Sequence, residues 1–196
     1  MSRRILVLAS TSPRRISLLK QLGIPFEAVD PGDAENSVAQ DPVAHVKEHA
    51  ICKAEAVAAK YPDRLVIAAD TIVVLDGRIL EKPRSREEAK VMLHTLCGRT
   101  HTVISAIALI EKDKKRLDIR TEETRVTMKG LDEKEIEAYI ATGEPMDKAG
   151  AYAAQGVGAI IIERVDGCFY NVVGLPMSLL HDMLKDAGIN TLMPRK

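Results

Sequence analysis

The 196-residue sequence predicts an α/β protein with a mixed β-sheet and flanking helices, on three observations. Short β-branched and aliphatic runs stop abruptly at small polar residues, as buried strands do. Between them lie capped segments with helical spacing of apolar residues. The two kinds of element alternate without a strict strand–helix–strand rhythm, and Asp76-Gly77 is a hairpin signal, so antiparallel pairs are expected beside parallel ones.

Residues 4–9 read as a buried strand that ends at Ser10. A helix follows at once: Ser12 caps it, Pro13 suits its first turn, Ile16, Leu19 and Leu22 recur on one face, and Gly23 stops it. Asp41-Pro42 opens a second helix, rich in Ala and Val, to about Lys60. Leu65 to Ala69 is the next buried strand, with Asp70 and Thr71 at its end and the Asp76-Gly77 turn beyond. Ser85, with Glu88 three residues on, forms a capping box for a helix to about Cys97. Thr102 to Ile110 is a core strand whose partner, Asp118 to Met128, lies across the charged tip Glu111 to Arg116. Asp132 to Ala141 is a short helix ended by Gly143, and the glycine-containing segment to Gly158 is a shaped loop. Ala159 to Val165 reads as a further buried strand, and Pro176 to Ala187 as the last helix.

Composition narrows the function classes. Lys plus Arg number 28 and Asp plus Glu 28, a formal net charge of zero that argues against a surface for coating polyanions. Trp is absent and aromatics make up 3%, too few for the stacking platforms that hold single-stranded nucleic acid, so no nucleic-acid partner is expected. At 46% hydrophobic the chain has ample material for a core, in one domain or two small ones that touch. No apolar run approaches the roughly 18 residues that span a bilayer, and Ile5 to Ala9 is too short for a secretory core, so no membrane association is expected. Cys52, Cys97 and Cys168 fit neither a disulfide framework nor a zinc knuckle, which points to a reducing cytoplasm.

The strongest chemical signal is strand, then Ser10-Thr11-Ser12-Pro13-Arg14-Arg15, then helix. Free N–H groups at a helix start attract anions, and arginines in the first turn oppose the dipole unless an anionic ligand compensates. An ordinary capped helix whose arginines pair with surface carboxylates would look the same. Asp70 at a strand end is where carboxylates that bind metals or activate water are often placed, although a turn-forming aspartate is the commoner meaning. Asp33 and Glu35 in a polar loop, and Lys82-Pro83 after the hairpin, would complete an inventory for metal-assisted attack of water on a polyphosphate. His45-Val46-Lys47-Glu48-His49 matches the H-x-x-E-H pattern of inverted zinc peptidases, but no later residue clearly supplies the third ligand. A P-loop and a dinucleotide fingerprint are both missing from the sequence.

Blocks in order along the chain resemble the Maf family of nucleoside triphosphate pyrophosphatases. They are Leu8 to Arg15, Lys53-Ala54, Ala69-Asp70-Thr71, Leu80-Glu81-Lys82-Pro83, Gly98-Arg99-Thr100-His101, Thr142 to Tyr152, Gln155-Gly156 and Asn171 to Pro176. The resemblance implies a Maf/inosine-triphosphatase-like architecture over residues 1–196 as a single domain, with a cleft between two lobes. It also implies hydrolysis of a nucleoside triphosphate to monophosphate and pyrophosphate, with Mg²⁺ or Mn²⁺, in a cytoplasmic homodimer that clears nucleotide pools. By position, Asp70 resembles the family's proton acceptor and a metal ligand, and Glu35 the loop carboxylate that helps hold the metal. Ser10, Arg14, Arg15, Lys53 and Lys82 resemble its phosphate-binding set. The family's acidic pair is replaced here by Ala34-Glu35, and the Glu that usually precedes the lysine by Cys52.

Three positions separate the family's branches. Arg14, Thr71 and Gln155 resemble the dTTP/UTP branch, where a 7-methyl-GTP branch carries Trp, Gln and Glu. A neutral Gln can both donate and accept at a pyrimidine edge. The expected substrates are therefore dTTP, UTP and modified pyrimidine nucleotides. A non-catalytic nucleotide-binding regulator of cell division and a pyrophosphatase for inosine-type purines are the alternatives.

Overall fold

The computed structural model describes residues 6–34 and 37–192. The first aliphatic run forms strand β1 (Leu6–Ala9), all four residues of which are buried. Helix α1 (Pro13–Gln21) follows, with Pro13 in its first turn. Ser12 occupies the cap position but its side chain makes no capping bond; instead its N–H donates to Ser10 Oγ (3.1 Å), so the preceding serine shapes the turn. The residues α1 buries are Leu18 and Leu19, rather than the Ile16, Leu19, Leu22 row expected from spacing.

Strand β2 (Phe26–Val29) was not apparent in the sequence: it has four residues, none of them fully buried, and pairs in parallel with β1 alone. Helix α2 (Pro42–Ala58) opens at Asp41, whose carboxylate accepts from the Ala44 N–H (2.8 Å). Strand β3 (Val66–Leu75) runs twice as far as its apolar start suggests, because it continues through Asp70 and Thr71 to the turn at Asp76 (φ 49°) and Gly77 (φ 75°). Strand β4 (Arg78–Leu80) returns antiparallel, as the Asp-Gly signal requires.

Helix α3 (Arg86–Leu96) is capped by Ser85 as expected, although the Glu88 side chain accepts from the N–H of Arg84 rather than that of Ser85. Strands β5 (Thr100–Glu111) and β6 (Arg116–Met128) are neighbours across a short turn in which Lys115 is left-handed. Helix α4 (Glu133–Ala141) has a complete capping box between Asp132 and Glu135. Of the strand expected at Ala159 to Val165, only the second half is strand: Gly156–Ile161 is helical turn, and β7 (Ile162–Asp166) is a half-exposed edge strand. A short helix α5 (Phe169–Val173) and the final α6 (Met177–Asp186) complete the described elements.

Among the described residues the sheet has seven strands in the order β2-β1-β3-β5-β6-β7, with β4 on β3. The chain divides into two compact units. The first comprises Met1–Asp70, Ser105–Glu122 and Gly174–Lys196. Here β1 sits between β2 and β3, parallel to both. The chain leaves β1 through α1 to one side and returns through α2 to the other. The carboxyl end of β1 is therefore a point where strand order reverses, the position at which open α/β sheets bind ligands.

The second unit comprises Thr71–Ile104 and Glu123–Val173. Its core gathers Val73, Leu93, Leu96, Met128, Ile136 and Tyr139 around β3, β6, α3 and α4. The buried Asn171 side chain ties it together, donating to Val103 O (3.0 Å) and Thr124 Oγ1 (3.0 Å).

Candidate active site

In the first unit β1 delivers Ser10 to the start of α1, and β3, paired with β1 at Leu8 and Ile67, delivers Asp70 three residues further on. Ser10 is buried, and Arg14 and Arg15 are half-buried in the first turn of α1, which contains no acidic residue. The Nε–H of Arg15 donates to Gly174 O (2.9 Å), so the helix start is fastened to the loop that precedes α6.

Helix α2 contributes two residues one turn apart on the same face, His49 and Lys53. They engage the two oxygens of Asp70 separately: Lys53 Nζ donates to Oδ1 at 2.6 Å, and His49 Nδ1 lies 3.4 Å from Oδ2. Lys53 is 6% exposed and Asp70 8%. Burial by itself would raise the Asp70 carboxyl, but the His49 contact, the charges of Lys53 and Arg15, and the Lys53 hydrogen bond together hold it well below the usual carboxylate range. The carboxylate is therefore ionised at any physiological pH. Lys53 and Arg15 both act on it, and forked and point-charge cations beside a helix start suit a multiply charged anion.

The sequence-predicted set is thus partly assembled within one unit: Ser10, Arg14, Arg15, Lys53 and Asp70 all belong to the first. Thr71, half-buried, is the next residue along β3 and begins the second unit. Lys82 and Gln155, both exposed, belong to the second unit too, Lys82 after β4 and Gln155 in the loop after α4. Glu35 lies outside the described residues. Sequence reasoning does not single out His49, which enters it only as part of an H-x-x-E-H match without a third ligand. The better signal was its position four residues before Lys53. The His45 and His49 rings pack against each other, centroids 4.2 Å apart and planes tilted by 51°.

Among the described residues no group of three or more His, Cys, Asp or Glu is arranged to hold a metal ion. A single hard carboxylate, Asp70, remains compatible with a Mg²⁺-like cation, which takes one or two carboxylates and completes its shell with water and phosphate oxygens.

Solved structures share this architecture. The Ham1 protein of Staphylococcus aureus superposes with a TM-score of 0.51 at 19% identity, covering 93% of this chain and 98% of its own. A HAM1 protein from Coxiella burnetii gives 0.50 at 16%, covering 92% and 98%. At the level of sequence, the profile of the Maf-like proteins matches residues 5–187, and the chain belongs to that family. A protein of Pelotomaculum thermopropionicum named dTTP/UTP pyrophosphatase is 51% identical over 188 residues, 95% of this chain and 98% of its own. A Dictyoglomus thermophilum protein of the same name is 44% identical over 189 residues, with the same coverage.

Proposed function

We propose that this protein hydrolyses dTTP, UTP and modified pyrimidine triphosphates to the monophosphate and pyrophosphate. The observation that carries this reading is the buried Asp70 carboxylate clamped between Lys53 and His49, with Arg15 close enough to act on it, at the switch point beside the start of α1. Names borne by relatives over almost the whole chain support the same substrates.

In this reading Ser10, Arg14, Arg15, Lys53 and Lys82 hold the phosphates, the arginines by forked hydrogen bonds. Asp70 takes the proton from the water that attacks the α-phosphorus. A carboxylate held so far below its usual range is a weak base, and phosphate oxygens that compete for Lys53 and Arg15 return basicity to it. Asp70 would also hold a divalent cation, Mg²⁺ or Mn²⁺, with Glu35 as the second carboxylate; when bound, the cation neutralises phosphate charge. Arg14, Thr71 and Gln155 set the preference for a pyrimidine, with the Gln155 amide donating and accepting at the base edge. The family resemblance supports residues 1–196 acting as a single domain, in a homodimer, on free nucleotides in the cytoplasm. No helix among the described residues is long and apolar enough to cross a membrane.

The test is a triphosphate panel, with and without Mg²⁺ or Mn²⁺, that scores pyrophosphate against orthophosphate and is run on wild type and Asp70→Asn. Asparagine keeps the acceptor for Lys53 Nζ but not the charge, so folding and nucleotide binding persist while turnover falls by about 100-fold or more. Near wild-type turnover in Asp70→Asn removes the base from this position. Binding without turnover in wild type favours the regulator, and inosine triphosphate or 7-methyl-GTP as the fastest substrate overturns the pyrimidine preference.

A further inference from the structure

The loop that carries Gln155 is fastened at one end to the Glu144 carboxylate and at the other to the Tyr139 hydroxyl that donates to it. Helix α4 is capped by Thr142, the left-handed Gly143 (φ 76°) turns the chain, and Glu144 follows as a half-buried residue. Its side chain accepts three hydrogen bonds. Tyr139 Oη donates to Oε1 at 3.0 Å, the Gly158 N–H donates to Oε1 at 2.7 Å, and the Val157 N–H donates to Oε2 at 2.9 Å. Tyr139 Oη in turn accepts from the Ala153 N–H at 3.1 Å. Burial pushes the Tyr139 phenol up, so its proton stays in place to serve as donor.

Ala153 lies two residues before Gln155, and Val157 two residues after it. Both hang from the same Tyr139–Glu144 pair, which makes Gln155 the apex of a closed five-residue span. Its backbone is extended (φ −123°, ψ 166°) and its side chain exposed. The clasp has no slack: a Cβ on Gly158 would come to 2.4 Å from Ala153 O and 2.6 Å from Tyr139 Oη, and one on Gly156 to 2.3 Å from Glu144 Oε2. A carboxylate is required because three donors converge on it. A glutamine would turn its own NH₂ toward one of them.

We propose that Glu144 is a positioning residue for substrate selectivity: it holds the Gln155 amide in one place, so that the amide serves a pyrimidine and does not follow a larger base. The proposal rests on the assignment of Gln155 to the base edge made above. Hydrogen-bond readout needs its groups held to a fraction of an ångström, and an exposed glutamine on an untethered loop would adapt to several bases.

The experiment compares kcat/KM for dTTP with kcat/KM for GTP, by pyrophosphate release, in wild type, Glu144→Gln, Gln155→Ala and the double variant, with thermal midpoints alongside. Glu144→Gln is expected to lower the dTTP/GTP ratio about tenfold, the worth of one well-placed hydrogen bond, chiefly through dTTP. In the Gln155→Ala background the same change should leave the ratio as it was, because the residue acts through Gln155. Tyr139→Phe, which removes the hydroxyl that joins Glu144 to Ala153, gives the same direction if Glu144→Gln does not fold. A parallel loss on both nucleotides, tracking the thermal midpoint, overturns the proposal in favour of a purely structural clasp. If Gln155→Ala shifts the ratio and neither Glu144→Gln nor Tyr139→Phe does, the proposal fails while the base-edge assignment stands. An unchanged ratio in Gln155→Ala removes that assignment and the proposal with it.

Discussion

His101 makes the stability of this protein depend on pH through a buried imidazole. The residue is 2% exposed; its Nε2 is 2.7 Å from Tyr152 Oη, the two rings meet edge to face, and Nδ1 has no hydrogen-bond partner among the described residues. A second proton would place a charge, and a buried N–H with nothing to accept it, inside the second unit. Burial accordingly lowers the imidazole from its ordinary 6.5 to about 4. The unfolded chain takes up this proton near pH 6.5 and the folded chain only near 4, so the contribution is complete above about 6.5 and is lost as pH falls through that interval. At about 1.4 kcal/mol per pH unit the full loss is about 3 kcal/mol, and about 2 kcal/mol of it falls between pH 7 and 5. Urea unfolding of wild type and His101→Gln at pH 7, 6 and 5 isolates the effect. The amide can still meet the Tyr152 hydroxyl but cannot titrate, and the other histidines cancel in the difference. Wild type is expected to lose about 2 kcal/mol more than the variant over this range. Parallel loss of stability in the two proteins would refute the reasoning.

Two further outcomes follow from the geometry. Lys53→Met leaves the Asp70 carboxylate buried without its closest cation, which should cost about 3 kcal/mol in urea unfolding at pH 7, the low end for a broken buried pair because His49 and Arg15 remain. An unchanged unfolding midpoint would mean that water or Arg15 satisfies Asp70 as well as Lys53 does. Gly158→Ala drives a methyl group against the Ala153 carbonyl, a backbone atom that can retreat only by moving the Gln155 loop. It should destabilise by about 2 kcal/mol, a fall of about 6 °C in a thermal melt, and a fall of less than about 2 °C would show that the loop yields freely.

Local chemistry was legible wherever the residues that decide a feature are neighbours in the chain. Asp41, Ser85 and Asp132 announced their helices, and Asp76-Gly77 its hairpin, because caps and turns are made by a few consecutive residues. Strand β2 escaped notice because a four-residue, incompletely buried strand carries little periodicity. Asp70 was expected at a strand end and lies mid-strand instead, since ladder pairing carries β3 through the polar residues toward the turn. The Ala159 to Ile161 run is apolar like a strand, yet the segment beginning at Gly156 is held as helical turn, with Glu144 taking two of its N–H groups.

By itself the sequence determined the α/β class, the caps and turns, the cationic helix start and, through ordered motif blocks, the family. Only the tertiary structure decided which residues meet. Lys53 and His49 grip opposite oxygens of Asp70 from 17 and 21 positions away, and the Tyr139–Glu144 pair closes the Gln155 loop from as many as 14. Such pairings are chosen by strand order and helix packing, through loop closures whose entropic cost depends little on chain separation, so no local pattern in the sequence records them.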